Sequence, residues 1–400
     1  MAATSVQPAA DAAGGIWDQV VGHAAAVSTL REAVASGRVA HAWLFLGPPG
    51  VGKLHVAKVF AAALNCPNGG DGRCELCRRI LRGVHPDVHL IVPEGDNLLV
   101  DDVRAVREDA ARSHHEARVA VFILDEADRM TDAAANALLK ILEEPQPGVV
   151  FVLVARRVEA LLGTIPSRSR TLTFASLPPA DIAAALGREL GIDPEQAAWA
   201  AAASHGRLAR ARALLTDERT RLRRAATLAL AERLTSGRPS DALGAAGAVI
   251  EQADEAMATA KERQDRELAE LEEIYGRARG SAALRKRLET RHRRELRRTR
   301  FDAIREAVAD LLGLYRDLTA VHAGAPASSL VHPDHAATAV HLAETAGPAA
   351  ALRAAAALEE ADRRLAIGAA PQLTLEAAFL SVQEALRGNV PPMRRMEIRR

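Results

Sequence analysis

The stretch GPPGVGKLHVAK, Gly47 to Lys58, constrains the fold more than any other part of this 400-residue chain. Gly47 and Gly52 bracket four residues and Lys53 follows, with an apolar run (AWLFL) before the loop and a helical pattern (LHVAKVFAAAL) after it. Glycine reaches backbone conformations in which successive N–H groups converge, so such a loop between a strand and a helix wraps phosphate oxygens. Gly47, Pro48, Pro49, Gly50, Val51 and Gly52 form the expected cradle, and the Lys53 ammonium is placed to reach the terminal phosphates. The next position should carry a hydroxyl to hold the Mg²⁺ that accompanies a triphosphate, and here it is Leu54.

The runs around this loop predict an α/β domain. AWLFLG (42–47), VHLIV (88–92), VAVFILDE (119–126), VVFVLV (149–154) and TLTF (171–174) are short and bounded by polar or turn residues. Continuous apolar runs of this length suit strands buried on both faces of a parallel sheet, with crossover helices such as 53–64 and 131–144 between them. The strand signal stops after LPPAD (177–181), and almost everything beyond reads as helix. The fold class is therefore α/β plus all-α. The expected divisions are a disordered lead at 1–15, a phosphate-loop domain at 16–175, a small helical lid at 176–218 and a helical domain at 219–400.

Asp125 and Glu126 end the run VAVFILDEAD. An aspartate at the end of an apolar strand is the type that organises Mg²⁺, and a following glutamate is the type that orients a water. Loop and acidic strand end together predict a nucleotide-binding fold. The letters DEAD at 125–128 do not make a helicase, because the accompanying motifs are absent and Leu follows the loop lysine.

Lys+Arg (52) nearly balances Asp+Glu (51), so any basic surface must be local. One such place is 255–300, where KERQDRELAELEE carries six acids against three bases and RKRLETRHRRELRRTR carries nine bases against two acids. GRARG (276–280) separates them, which predicts an antiparallel helical hairpin with oppositely charged arms. It reads either as a solvated, salt-bridged pair or as a contact for a DNA backbone or a partner. No apolar run of about 18 residues occurs, and the N-terminus lacks a signal-peptide pattern, so a cytoplasmic protein without a membrane span is expected.

Three stretches carry a resemblance: VVGHAAAVSTLREAVASGRVAHAWLFLGPPGVGK (20–53), LDEADRMTDAAANALLKILEEP (124–145) and TIPSRSRTLTF (164–174). They resemble the clamp-loader subunits of bacterial DNA polymerase III, members of the AAA+ class. RRLAIGAAPQLTLEAAFLSV (363–382) is similar to the end of that family's helical collar, whereas the charged hairpin has no counterpart in it. Within the family, GVHPDVHLIVPEGDNLLVDDVRAVRE (83–108) resembles the delta-prime kind rather than the ATP-hydrolysing gamma/tau kind. The resemblance implies a stator-like subunit that helps ATP-driven loading of the beta sliding clamp on primer-template DNA, with gamma/tau and delta subunits as partners. The alternative is a gamma/tau-type motor or another AAA+ remodeller.

The resemblance also sorts the site residues. Where an active subunit places a polar sensor of the terminal phosphate, this chain has Ala155 and Arg156. Where the lid would send an arginine back to the nucleotide, GRLARAR (206–212) has Ala209, with Arg207 and Arg210 as neighbours. Arg168, in SRS, matches the arginine finger donated to an adjacent subunit's nucleotide. ATP bound without efficient turnover, slow hydrolysis supported by Asp125 and Glu126, and a loop that has lost its ligand all remain open. NCPNGGDGRCELCRRI contains Cys66, Cys74 and Cys77, similar to the family's zinc knob. The fourth cysteine is replaced by Ile80, so zinc would need His85, Asp71 or Glu75; otherwise the loop buries reduced thiols. His41 and His89, beside apolar runs, read as packed or surface histidines rather than ligands.

Overall fold

The five apolar runs become five parallel strands. The computed structural model describes residues 3–5, 15–93, 97–111, 116–275 and 281–387. The expected lead at 1–15 lies outside them apart from Gly15 and β1 (Ala3–Ser5), which pairs antiparallel with β2 (Arg38–Ala40). Helix α1 (Ala24–Ala35) precedes β2, and β3 (Ala42–Leu46) follows it. The chain continues through α2 (Lys53–Asn65), α3 (Glu75–Arg82), β4 (Val88–Ile91), α4 (Val100–Ala110) and β5 (Ala120–Leu124). Then come α5 (Asp132–Glu143), β6 (Val149–Ala155), α6 (Thr164–Arg168) and β7 (Arg170–Thr173).

The sheet order is β4-β5-β6-β3-β7, all parallel. β5 and β6 are buried along their whole length, which is why they read as unbroken apolar runs. Alternate residues still separate the two faces. Trp43, Phe45, Val121, Ile123, Val150 and Val152 pack on one side with residues of α1 and α2, while Leu44, Phe122, Leu124, Phe151 and Leu153 pack on the other with α4 and α5. Register pairs Leu46 with Ala155 and Leu124 with Leu153, so β3, β5 and β6 end along one edge. Because β3 lies between β6 and β7, the chain crosses the sheet there. That makes the edge a topological switch point, where open α/β sheets bind ligands.

The chain divides into two compact units, Met1–Arg212 and Ala213–Arg400. The first also contains α7 (Pro179–Leu190) and α8 (Pro194–Ala203), and α9 (Leu208–Thr216) runs across the division. The second unit is helical: α10 (Glu218–Leu234), α11 (Pro239–Tyr275), α12 (Ser281–His322), α13 (Ala336–Thr345), α14 (Pro348–Ala366) and α15 (Pro371–Leu386). Its core joins Leu228, Val249, Ile304, Leu311, Tyr315, Leu358 and Phe379 with many alanines, whose small side chains let the helices approach closely. Along α11 and α12 that core reaches Ala253 and Ile304.

Beyond those positions the two long helices pair antiparallel. Arg300 bonds Asp254, Gln264 Nε2 donates to the His292 carbonyl at 3.3 Å and to Glu295 at 3.0 Å, and His292 Nε2 meets Glu267 at 2.9 Å. The hairpin arms expected between 255 and 300 therefore exist. Their expected turn, 276–280, lies outside the described residues. Among the described residues no helix is long and apolar enough to cross a membrane.

Candidate functional site

The loop between β3 and α2 keeps the shape that its glycines allow. Gly47 has φ +149°, and a methyl group there would lie 2.0 Å from the Phe174 carbonyl oxygen, so no other residue fits. Gly50, at φ +79°, lies under the side chain of Arg207, whose Cδ would be 2.7 Å from an added Cβ. Lys53 opens α2, is buried, and donates to the carbonyls of Gly47 (2.5 Å) and Pro48 (2.6 Å). These contacts hold the ammonium inside the loop. Leu54 is half-buried against the apolar face under the sheet and offers no oxygen to a metal.

Asp125 is buried just past β5, at the same sheet edge as the loop. Its backbone N–H donates to the Ile91 carbonyl, and its Oδ1 accepts the Glu126 N–H at 3.1 Å. Glu126 has φ +53°, a left-handed conformation that a side-chain-bearing residue adopts at a cost of about 1–3 kcal/mol. Its carboxylate is anchored on both sides: Oε2 lies 2.9 Å from Arg129 and Oε1 lies 3.4 Å from Arg156. The Arg156 backbone N–H in turn donates to Asp128 at 3.1 Å. The residue at the expected phosphate-sensor position thus grips the carboxylate that would orient a water. The sequence shows both residues but gives no signal that they meet.

The cradle residues Gly47 to Leu54 lie together, and Asp125 and Glu126 close the same edge of the sheet. Of the lid candidates, Arg207 lies on the loop, Ala209 is exposed, and Arg210 is buried. The residues present fit a nucleotide: a loop whose three glycines have positive φ, a lysine at the helix start and an acid at the strand end. Gly47 to Lys53 would hold the phosphates and Asp125 a magnesium ion, whose supply of charge neutralisation lacks only the usual hydroxyl ligand.

Arg168 is the last residue of α6, on the surface, with its side chain 36% exposed. It pairs with Glu143 at 2.7 Å, and also donates to the Thr164 carbonyl at 3.3 Å. A half-exposed ion pair of this kind contributes at most about 1 kcal/mol, so the guanidinium is readily redirected.

The cysteines form a second cluster, between α2 and α3. Cys66 caps the end of α2, Cys74 caps the start of α3, and Cys77 lies in its first turn. The Cys66 and Cys74 sulfurs are 3.8 Å apart, in a thiol hydrogen bond rather than a disulfide. Two thiolates on one tetrahedral zinc, each at about 2.3 Å, would be about 3.8 Å apart. Of the three fourth ligands considered, the structure brings in Asp71: one donor atom from each of Cys66, Asp71, Cys74 and Cys77 lies within 4.8 Å of the others. Asp71 Oδ1 accepts the N–H groups of Arg73 and Cys74, and Oδ2 that of Asn68, so its carboxyl is held well below the ordinary range. Burial raises the Cys77 and Cys74 thiols. Ile80 is buried in the apolar core, Glu75 pairs with Arg78, and His85 accepts the Asp87 N–H. Three sulfurs and a carboxylate fit zinc. His89 stacks on Phe122, and His41 is buried, as packed histidines do.

Residues 22–178 match a family model described as DNA polymerase III, delta subunit. The chain is 40% identical over 153 residues to the DNA polymerase III subunit delta' of Bacillus subtilis, covering 38% of this chain and 46% of that protein. It is 37% identical over 175 residues to the DNA polymerase III subunit gamma/tau of Mycobacterium bovis, covering 42% of this chain and 30% of that protein. A crystal structure of a DNA polymerase III gamma subunit-related protein from Thermotoga maritima superposes with a TM-score of 0.39 at 18% identity, over 90% of this chain and 99% of that one. The chain thus spans less than half the length of the curated relatives it matches. Across residues 22–178 the chain is thus similar to the delta and delta' subunits of DNA polymerase III.

Proposed function

We propose that the chain is a clamp-loader subunit of the delta-prime kind in a cytoplasmic DNA polymerase III assembly. It would work beside gamma/tau and delta subunits to place a beta sliding clamp on primer-template DNA. The observation that carries this reading is an asymmetry. In the chain's own pocket the metal-binding hydroxyl is replaced by Leu54, and the water-orienting Glu126 is tied to Arg129 and Arg156. Arg168, by contrast, stands on the surface in a pair weak enough to exchange. The chain binds ATP through Gly47–Lys53 without efficient turnover, and donates Arg168 to a neighbour's triphosphate, where such a guanidinium stabilises transition-state charge.

The test is ATP turnover by an assembly reconstituted with gamma/tau, delta, clamp and primed DNA. Arg168→Ala should lower the rate by about 10³-fold or more if it serves the rate-limiting site. Arg168→Lys should rescue little, because an ammonium lacks the planar fork. Lys53→Ala should leave turnover near wild type. An unchanged rate in Arg168→Ala removes the finger. The likeness to gamma/tau over 175 residues favours a second reading, an ATP-hydrolysing motor subunit. Robust Mg²⁺-dependent hydrolysis by the purified chain, abolished by Lys53→Ala, would establish it instead.

A further inference from the structure

The charged hairpin takes no part in the site described above, and its basic arm has the chemistry of a phosphate-binding surface. We propose that the outer half of α12 contacts the sugar–phosphate backbone of double-stranded nucleic acid without reading its sequence.

The arm is a continuous helix, and residues 281–300 carry nine Lys/Arg against two Glu. One side of it is committed to the seam with α11. His292 is buried and meets Glu267, Glu295 takes the Gln264 amide, and Arg300 bonds Asp254. Away from that seam, Arg293, Arg297 and Arg298 are exposed, and Arg298 pairs with Asp302 at 3.6 Å. Arg293 and Arg297 are one turn apart, so their guanidinium groups repeat along the axis of a rigid rod. From the edge of the helical core to the end of α11 is 22 residues, a reach of about 30 Å. Exposed Glu262 and Asp265 lie on the partner helix, which confines the contact to the α12 side.

Three features favour a duplex backbone over other occupants. Residues 281–300 contain no Phe, Tyr or Trp, so the arm lacks the stacking platforms with which proteins hold single strands. Among the described side chains of 255–269 and 295–300, no large apolar one is exposed, so these positions offer a partner charge rather than an apolar anchor. Arginines repeated along one helix face match the regular row of phosphates, the part of a duplex that carries no sequence information.

The test uses the full chain and a labelled duplex of about 30 base pairs, with affinity followed by anisotropy between about 50 and 200 mM salt. Wild type should bind duplexes of unrelated sequence alike, and its log affinity should fall linearly with log salt. Arg293→Ala with Arg297→Ala should weaken binding at least tenfold and shallow that slope by about 2, one for each lost phosphate contact. The matching Arg→Lys pair should keep the slope, because phosphate contacts need charge rather than the guanidinium fork. Circular dichroism confirms that each variant is folded. No duplex binding by wild type, an unchanged slope in the alanine pair, or tighter binding to a single strand of equal length would overturn the proposal. Binding is read on the isolated chain without nucleotide, so its failure is separable from failure of the clamp-loader reading.

Discussion

Asp71 stands beside the three cysteines where a fourth metal ligand would stand. Its carboxylate lies beside three sulfurs because backbone N–H groups of the same turn hold it there. Purified chain should therefore carry about one zinc, or take up cobalt with the absorption of a sulfur-rich tetrahedral site. Asp71→Ala should lose most of that metal, while Glu75→Ala should keep it; equal metal content in both would remove Asp71 as a ligand. His85 makes a different prediction. Burial, then the charge of Arg79, lowers its pKa from 6.5, against smaller opposing effects of Asp87 and Glu116 and a lowering one of His89. The unfolded chain therefore binds a proton that the folded chain resists. Stability should fall as pH drops below 6.5 towards the depressed folded value, and should be level above it. His85→Gln should flatten this slope in urea titrations.

At the scale of elements, the sheet was legible because burial on both faces leaves apolar runs that no surface helix would show. VVFVLV became β6, and all five expected strands lie within a residue or two of their runs. The loop and acidic strand end were legible for the same reason, since each adjoins such a strand. The grip of Arg156 on Glu126 was not, because it links residues 30 positions apart through side-chain directions that no local pattern encodes. Nor was the choice of Asp71, which depends on a turn with several glycines at positive φ. The hairpin was legible from charge alone. Among the described side chains, its seam buries Ala256, Ala260, Gln264 and His292 outside the apolar core. Replacing residues 257–299 by a short glycine-rich turn should shift the thermal midpoint by only a few degrees, about 1 kcal/mol or less of stability. A large loss would show that the arms support the helical core.

For the whole molecule, near-equal numbers of acids and bases mean that no overall field draws the chain to a polyanion. Any such contact would rest on specific groups, which lie on separate parts of the chain: the loop and Arg168 in the first unit, the α12 arm in the second. Within the first unit, two independent obstacles bear on hydrolysis, a missing hydroxyl at Leu54 and a carboxylate, Glu126, engaged by two arginines. Leu54→Thr alone should leave turnover of the isolated chain at background, and only its combination with Arg156→Asn should raise it, as read by phosphate release. Equal activity in the single variant would show that the Arg156 contact does not restrain the carboxylate. The tie between Glu126 and Arg156 thus makes distant positions interdependent: a new hydroxyl at residue 54 would still face a carboxylate fastened from the neighbouring strand.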